Sequence, residues 1–433
     1  MDLPKLDATN CDNVFEMSAS RIRFGSGATR EVGMELADLR ISRVLLVVDP
    51  AVKAQSGWDV LRDSLDRERI SYDVFDRVRV EPSETSFRDA IETAQRGDYQ
   101  AFVALGGGST IDTAKVANLY STYPAEFLTY FNAPVGEARP IPGPLKPLIA
   151  IPTTAGTGSE TTGVAICDLK DQRIKTGIAH RLLKPTLGIL DPDHLRSLPP
   201  AVAASAGLDV LCHALESYTA IPYDRRPRPA RPSQRPNYQG ANPVSDVWVE
   251  KSLAMVRDFL PRLVRDPDDA TARAQMLLAA SFAGIGFGNA GVHLCHAMSY
   301  PIASHVRSYQ PAGYSTDHPL VPHGVSVVLT APAVFAFTAM AAPERHRQSL
   351  ELLGAPTSSN DPQTIAAQLA EVLTAIIAAY RLPNGLSELG YQSSDIPQLV
   401  AGTRLQERLM RLAPCPVSDA DLHRLFERSM RLW

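Results

Sequence analysis

The chain has 433 residues, 45% of them apolar and 21% charged, with a formal net charge of −4. That length exceeds one simple core and predicts two domains or three. The acidic balance, with no interleaving of basic and aromatic residues, argues against a nucleic-acid partner, and five irregularly spaced cysteines, none in a CxxC, point to a reducing compartment rather than a disulfide framework.

The N-terminal stretch "MDLPKLDATNCDNVFEM" carries Asp2, Asp7, Asp12 and Glu16. It has neither the apolar core of a signal peptide nor the Arg-rich, acid-poor character of a transit peptide, so a cytoplasmic placement is expected, or the mitochondrial matrix for a trimmed chain. "VLLVVD" (44–49) is a continuous apolar run ending in an acid and reads as a buried strand. A helical pattern over 51–67 follows, then "SYDVFD" as a strand and "ETSFRDAIETAQRG" as a helix stopped by Gly97. "AFVAL" (101–105) is the next strand and runs directly into "GGGSTIDTAKVANLY". Strands alternating with helices of this length predict parallel βαβ units.

From about residue 197 the pattern becomes helical. The stretch 266–303 is Ala/Gly/Ser-rich, which lets helices approach closely, and 344–433 reads as short amphipathic helices. "VSVVLTAPAVFAFTAMAA" (325–342) is nearly long enough to cross a bilayer, but Pro332 interrupts it and no basic flank anchors it. A buried helix pair, with no membrane partner, is the expectation. The segment 221–246 is dense in Pro and Arg and excludes a regular helix or central strand. It reads either as a solvated insertion or as an ordered excursion that brings Arg toward an acidic substrate or a neighbouring subunit.

Three places carry chemistry of one kind. Gly106, Gly107 and Gly108 join a buried strand to a helix, where backbone amides of the helix N-terminus can meet a phosphate; a plain tight turn is the competing reading. Asp49 ends the first strong strand, where a carboxylate can accept ribose hydroxyls. "IPTTAGTGSE" (151–160) is a second Gly/Thr loop directly after a strand, "LIAI". Together they suggest a dinucleotide.

A second chemistry lies in the helical half. Asp209 and His213 in "GLDVLCHALESY" are four apart and share one helix face, with Glu216 set among the same apolar positions. Alone, such a pair is either a hydrogen bond or part of a metal site. The pattern recurs in "GVHLCHAMSYP", with His293 and His296, and in "DHPLVPHGVS", with His318 and His323. Several imidazoles with one carboxylate at the ends of apolar helices suit Fe²⁺ or Zn²⁺ and could polarise a substrate oxygen.

"GGGSTIDTAK", "IPTTAGTGSE", "LDVLCHALESY", "HAMSYP" and "PHG" resemble, in order and spacing, the iron-dependent (group III) alcohol dehydrogenases over roughly residues 20 to 430. "RVRVEPS", "TGVAICD", "GFGNAGVHLCHAMSYPI", "RPNYQGANPVSDVW" and "HPLVPHGVSVVLTAPAVF" resemble the hydroxyacid–oxoacid transhydrogenase branch, and the insert then reads as an ordered excursion. The resemblance implies an α/β N-terminal nucleotide-binding domain (1–196) plus an all-α C-terminal domain (197–433), the dehydroquinate synthase-like architecture, with the site in a cleft between them. It implies iron held by Asp209, His213, His296 and His323, with His293 the competitor of His296 one turn earlier. Tyr300 stands where many members carry a second His facing the nicotinamide, so His296 and Tyr300 are the expected catalytic residues. Asp49, Gly106, Gly107, Gly108, Ser109, Asp112, Thr153, Thr154, Thr157, Ser159 and Lys175 are the expected NAD-binding set.

The implied activity is hydride transfer from 4-hydroxybutyrate to 2-oxoglutarate through bound NAD, by a homo-oligomer acting on small hydroxy and oxo acids. A conventional NAD-dependent, iron-dependent dehydrogenase or maleylacetate-type reductase is the alternative. A lyase of the dehydroquinate synthase kind is more distant, and a non-catalytic scaffold would be expected to lack one of the four ligands. Arg307, in the longer stretch between His296 and His323, reads as a carboxylate partner or as a surface salt bridge.

Overall fold

The computed structural model describes residues 10–314, 316 and 318–433, so Asp2 and Asp7 of the N-terminal stretch lie outside the described residues. Two compact units divide the chain: one comprises Ser18–Ala203 with Arg262–Gly284, the other Met1–Met17, Ala204–Pro261 and Ile285–Trp433.

In the first unit, β1 (Arg21–Phe24), β2 (Arg43–Val48), β3 (Ser71–Phe75), β4 (Ala101–Gly106), β5 (Leu148–Pro152) and β8 (Leu187–Leu190) make a parallel sheet in the order β1-β8-β5-β4-β2-β3. β6 (Val164–Leu169) and β7 (Ile174–Ala179) pair antiparallel beside it in sequence. The helices are α1 (Val32–Asp38), α2 (Ser56–Arg67), α3 (Glu84–Arg96) and α4 (Gly108–Thr122). The central strands are apolar on both sides because each side meets a separate core. Val44, Leu46, Val48, Val103 and Leu105 pack with Trp58, Leu61 and Leu65 of α2. Leu45, Val47, Phe102 and Ala104 pack with Ala90 of α3 and Ile111 and Ala114 of α4. Burying each Val or Leu contributes about 1.5–3 kcal/mol, so such strands are held only between two helical layers.

The strand order also places the loops. From β2 the chain crosses to β3 on one side, whereas from β4 it continues to β5 on the other. The carboxyl ends of β2 and β4 therefore flank a switch point, where ligands of open α/β sheets bind.

The second unit is helical: α5 (Pro200–Thr219), α6 (Pro243–Arg265) and α7 (Ala270–Ala290), each contributing part of its length, then α8 (Leu294–Ser304), α9 (His323–Val328), α10 (Ala331–Ala339), α11 (Pro343–Leu352), α12 (Pro362–Ala379), α13 (Ile396–Arg404), α14 (Glu407–Met410) and α15 (Asp419–Ser429). The apolar run 325–342 folds as the expected buried pair, α9 and α10. One described helix, α12, is long and apolar enough to cross a bilayer. Its Ile365, Leu369, Leu373 and Ile377, four residues apart, form one buried row.

Two local readings change, the second of them moving His293. Helix 51–67 begins only at Ser56, after a 3₁₀ turn at Val52–Ala54. The helical stretch 266–303 breaks after Ala290, where Gly291 takes φ 101°, a conformation that favours glycine and ends a helix. His293 therefore caps α8 instead of lying one turn earlier on the same helix. The insert 221–246 is ordered. Arg226 and Arg235 both pair with buried Asp12, at 2.7 and 2.9 Å, so these cations are engaged within the chain.

Candidate metal centre and nucleotide-binding loops

Asp209 and His213 lie one turn apart on α5, His296 comes from α8, and His323 opens α9. The Nε2 atoms of His213, His296 and His323 stand 3.8, 3.5 and 3.8 Å from Oδ1 of Asp209. One donor atom from each residue lies within 4.8 Å of all the others. A tetrahedral ion with ligands at about 2.1 Å needs donors about 3.4 Å apart, so the set fits with small adjustment. Oδ1 of Asp209 and Nε2 of His296 are buried without a hydrogen-bond partner, a cost that a bound cation removes. Of the other imidazoles, His293 faces Oγ1 of Thr219 at 3.1 Å through Nε2, and His318 is not among the four.

Packing fixes these side chains. The ring of His213 stacks on Phe287 at 4.0 Å and on His296 at 4.5 Å. α9 reaches α5 through Gly324, where a Cβ would lie 1.9 Å from the carbonyl oxygen of Ser205 and 3.1 Å from Cβ of Asp209. Only glycine allows that approach, and it sits directly after His323.

Glu216, two turns after Asp209 on α5, is a positioning residue to which the sequence assigned no role. Its Oε1 accepts the backbone amides of His293, Cys295 and His296 at the start of α8, at 3.0, 2.7 and 3.3 Å. Its Oε2 pairs with Nδ1 of His296. A carboxylate on the far nitrogen of a ligating His orients the ring and leaves Nε2 for a metal. The sequence signal was its place on the Asp209 face of the helix.

The electrostatics favour a cation. Burial pushes His213 down to about 3, against the pull of Asp209. Burial opposes the charge of Asp209, but His213, His323 and His296 outweigh it and hold the carboxyl well below its ordinary range. Burial also disfavours charge on His296, yet Glu216 and Asp209 lift it to about 9. Two buried carboxylates thus call for a positive charge beside them, and a metal ion competes with a proton for that place.

In the α/β unit, the first turn of α4 has no side-chain cap, and while the Thr110 and Ile111 amides donate to the Gly107 carbonyl, those of Gly108 and Ser109 can meet an anion in the manner of helix N-termini. Gly106 ends β4. A Cβ on Gly108 would strike the side chain of Thr157 at 2.6 Å, whereas Gly107 faces Thr154 at ordinary distance. Thr153 donates its amide to the Gly106 carbonyl at 3.1 Å, joining the two loops. Asp49, half-buried at the end of β2, accepts the Ala51 amide at 2.8 Å.

Other members of the expected set are engaged inside the protein. Oδ1 of Asp112 accepts from Ser159 at 2.6 Å and Oδ2 accepts the Ile166 amide at 3.0 Å. Ser109 accepts the Glu81 amide at 3.2 Å, and Lys175 pairs with Glu81. Lys115, the last residue of "GGGSTIDTAK", was not anticipated. It is buried, and its ammonium donates to Ser159 at 2.6 Å and the Val164 carbonyl at 2.8 Å, tying α4 to the second loop. Tyr300 is buried on α8 and accepts from Nη2 of Arg408 at 3.3 Å. Arg307 forms the surface pair with Asp395, at 2.5 Å, so the salt-bridge reading holds.

Comparison with known proteins agrees with this architecture. Residues 19–192 match the model for "Iron-containing alcohol dehydrogenase", and 237–430 that for "Fe-containing alcohol dehydrogenase family, C-terminal". The chain is 54% identical to the protein named hydroxyacid-oxoacid transhydrogenase, mitochondrial, of Rattus norvegicus, and 53% identical to that of Homo sapiens. Each match spans 98% of this chain and 91% of the relative. A solved iron-containing alcohol dehydrogenase from Thermococcus thioreducens superposes with a TM-score of 0.80 at 26% identity, covering 96% of this chain and 99% of the other.

Proposed function

The chain belongs to the iron-containing alcohol dehydrogenase family, and on that premise we propose that it is a hydroxyacid–oxoacid transhydrogenase. Hydride moves from 4-hydroxybutyrate to 2-oxoglutarate through a retained NAD, giving succinic semialdehyde and 2-hydroxyglutarate. The observation that carries this reading is the likeness, over 98% of the chain, to relatives bearing that name.

Asp209, His213, His296 and His323 would hold iron; three nitrogens and one oxygen also suit zinc. When bound, the ion supplies Lewis-acid polarisation of a hydroxyl or carbonyl oxygen, and NAD supplies the hydride acceptor. The chain's own part is position and charge. Glu216 fixes the ring of His296 through Nδ1, and Phe287 covers one face of His213. Gly106–Gly108 and the start of α4 would receive the pyrophosphate, with Thr153, Thr154 and Thr157 bordering it. Asp49 would accept the ribose hydroxyls and repel a 2′-phosphate, favouring NAD over NADP. Asp112, Ser109, Ser159, Lys175 and Lys115 support this loop from within. Tyr300, one turn beyond His296, would meet the substrate side of the site.

We read the enzyme as a homo-oligomer acting on small acids in a reducing compartment, the cytoplasm or the mitochondrial matrix. The relatives are named mitochondrial, and no disulfide links the cysteines among the described residues.

The test uses purified protein with 4-hydroxybutyrate and 2-oxoglutarate and no added nucleotide. Equal accumulation of succinic semialdehyde and 2-hydroxyglutarate over many turnovers is expected. NADH released only when NAD⁺ is supplied would instead make the protein a conventional NAD-dependent dehydrogenase.

A further inference from the structure

Arg408 lies on α14, which packs against α8. Its Nη2 donates to the hydroxyl of Tyr300 at 3.3 Å, and its guanidinium stands 5.5 Å over the ring of Tyr238. Its Nη1 is enclosed and has no hydrogen-bond partner. Other arginines of the same unit close on carboxylates: Arg226 and Arg235 on Asp12, Arg345 on Asp246, Arg307 on Asp395. Among the described residues no carboxylate pairs with Arg408. A guanidinium cannot shed its charge, and a buried donor left unsatisfied is costly, so this position calls for an anionic acceptor.

Its place relative to the metal cluster says which anion. Tyr300 follows His296 by four residues on α8, so the two share a face with a rise of about 6 Å between them. We infer that Arg408, oriented by Tyr300, is the specificity-determining residue that binds the substrate carboxylate. The inference rests on the transhydrogenase reading. A 4-hydroxy acid with its hydroxyl at the Asp209–His213–His296–His323 cluster and its chain along α8 brings its far carboxylate toward Nη1. The distal carboxylate of 2-oxoglutarate would use the same cation, so one residue serves both acids of the exchange. An uncharged alcohol leaves Nη1 unpaired, and sites built to bond a polar group discriminate strongly against analogues that lack it.

The test compares wild type with Arg408→Met, as isolated holoenzymes, by calorimetric titration with succinate, an unreactive four-carbon carboxylate. Losing one charge-assisted bond is expected to raise the succinate Kd about 10- to 150-fold, with iron content unchanged, and to raise KM for 4-hydroxybutyrate and 2-oxoglutarate more than it lowers kcat. A second variant, Tyr300→Phe, removes only the hydroxyl that orients Arg408 and is expected to raise the succinate Kd several-fold. Should Arg408→Met fail to fold, an unchanged Kd in Tyr300→Phe overturns the proposal. So does equal succinate affinity in wild type and Arg408→Met, or no succinate binding by wild type. The transhydrogenase reading fails separately, when wild type exchanges no hydride yet binds succinate through Arg408.

Discussion

Glu216 holds the imidazole of His296 from behind: its Oε2 meets Nδ1 while Nε2 of the same ring stands 3.5 Å from Asp209. Both side chains are buried, so neither water nor another partner substitutes for the contact at low cost. Glu216→Gln keeps an oxygen for the amides of α8 but loses the charge beside His296. Iron affinity is expected to fall about 10- to 100-fold with the helical circular dichroism unchanged. Iron retained after dialysis against a graded chelator measures this, and wild-type retention would reduce Glu216 to a cap on α8.

Gly324 decides whether His323 can join the other three. In Gly324→Ala the new Cβ meets the Ser205 carbonyl at 1.9 Å, and backbone does not swing aside as a flexible side chain would. α9 must move away from α5, taking His323 with it. Overpacking of this kind costs about 1–3 kcal/mol. The expected result is a lower melting temperature together with loss of bound iron, read by scanning calorimetry and elemental analysis. A variant that melts lower but keeps its full iron would separate the packing from the ligand.

His346 gives the helical unit a dependence on pH away from the metal cluster. Its Nδ1 meets the Ala342 carbonyl at 2.8 Å and Nε2 meets the Thr338 hydroxyl at 2.8 Å. Burial pushes it down to about 4; the Ala342 contact opposes this, while His293 and Arg345 reinforce it. The unfolded chain, with an ordinary value near 6.5, therefore binds the proton first as the solution is acidified. The contribution is complete above about pH 6.5 and is lost as pH falls toward 4, by up to about 3 kcal/mol. His346→Gln should lose less stability than wild type between pH 6.5 and 4 in parallel thermal melts. Identical losses would assign the acid sensitivity to other buried groups.

Much of the site was legible because its geometry is local. Asp209 and His213 are fixed relative to each other by helix periodicity, and the glycines after β4 by the need for a close turn. The uninterrupted apolar runs of β2 and β4 announced a sheet covered on both faces. Convergence was not local: that α5, α8 and α9 bring their histidines to one point depends on contacts such as Gly324 against Ser205. The role of Glu216 depends on a helix start 77 residues away in sequence. The hairpin of β6 and β7 and the short β1 and β8 carry too little periodicity to stand out. Arg408 had no signal at all, since its meaning lies in Tyr300 on another helix.

The insert 221–246 is tied to the N-terminal stretch through a buried acid. Asp12 pairs with Arg226 and Arg235, its amide donates to the Arg226 carbonyl at 3.0 Å, and Arg226 reaches back to the Val14 carbonyl at 2.6 Å. The Phe15–Tyr223 ring contact at 4.9 Å is an apolar contact in the same region, but it cannot neutralise the two guanidinium groups. Asp12→Ala leaves two part-buried guanidinium groups without their carboxylate, the costly way to break an ion pair. Trypsin should then cut after Arg225, the one arginine of the segment not followed by proline, at least about tenfold faster, as opening of the segment becomes easier by about 1.4 kcal/mol or more. The iron content should stay at the wild-type level, because the four proposed ligands stand on α5, α8 and α9, outside this segment. Cleavage at the wild-type rate would mean that the bridges Cys11–Pro227 and Pro222–Ala241 hold the insert without Asp12.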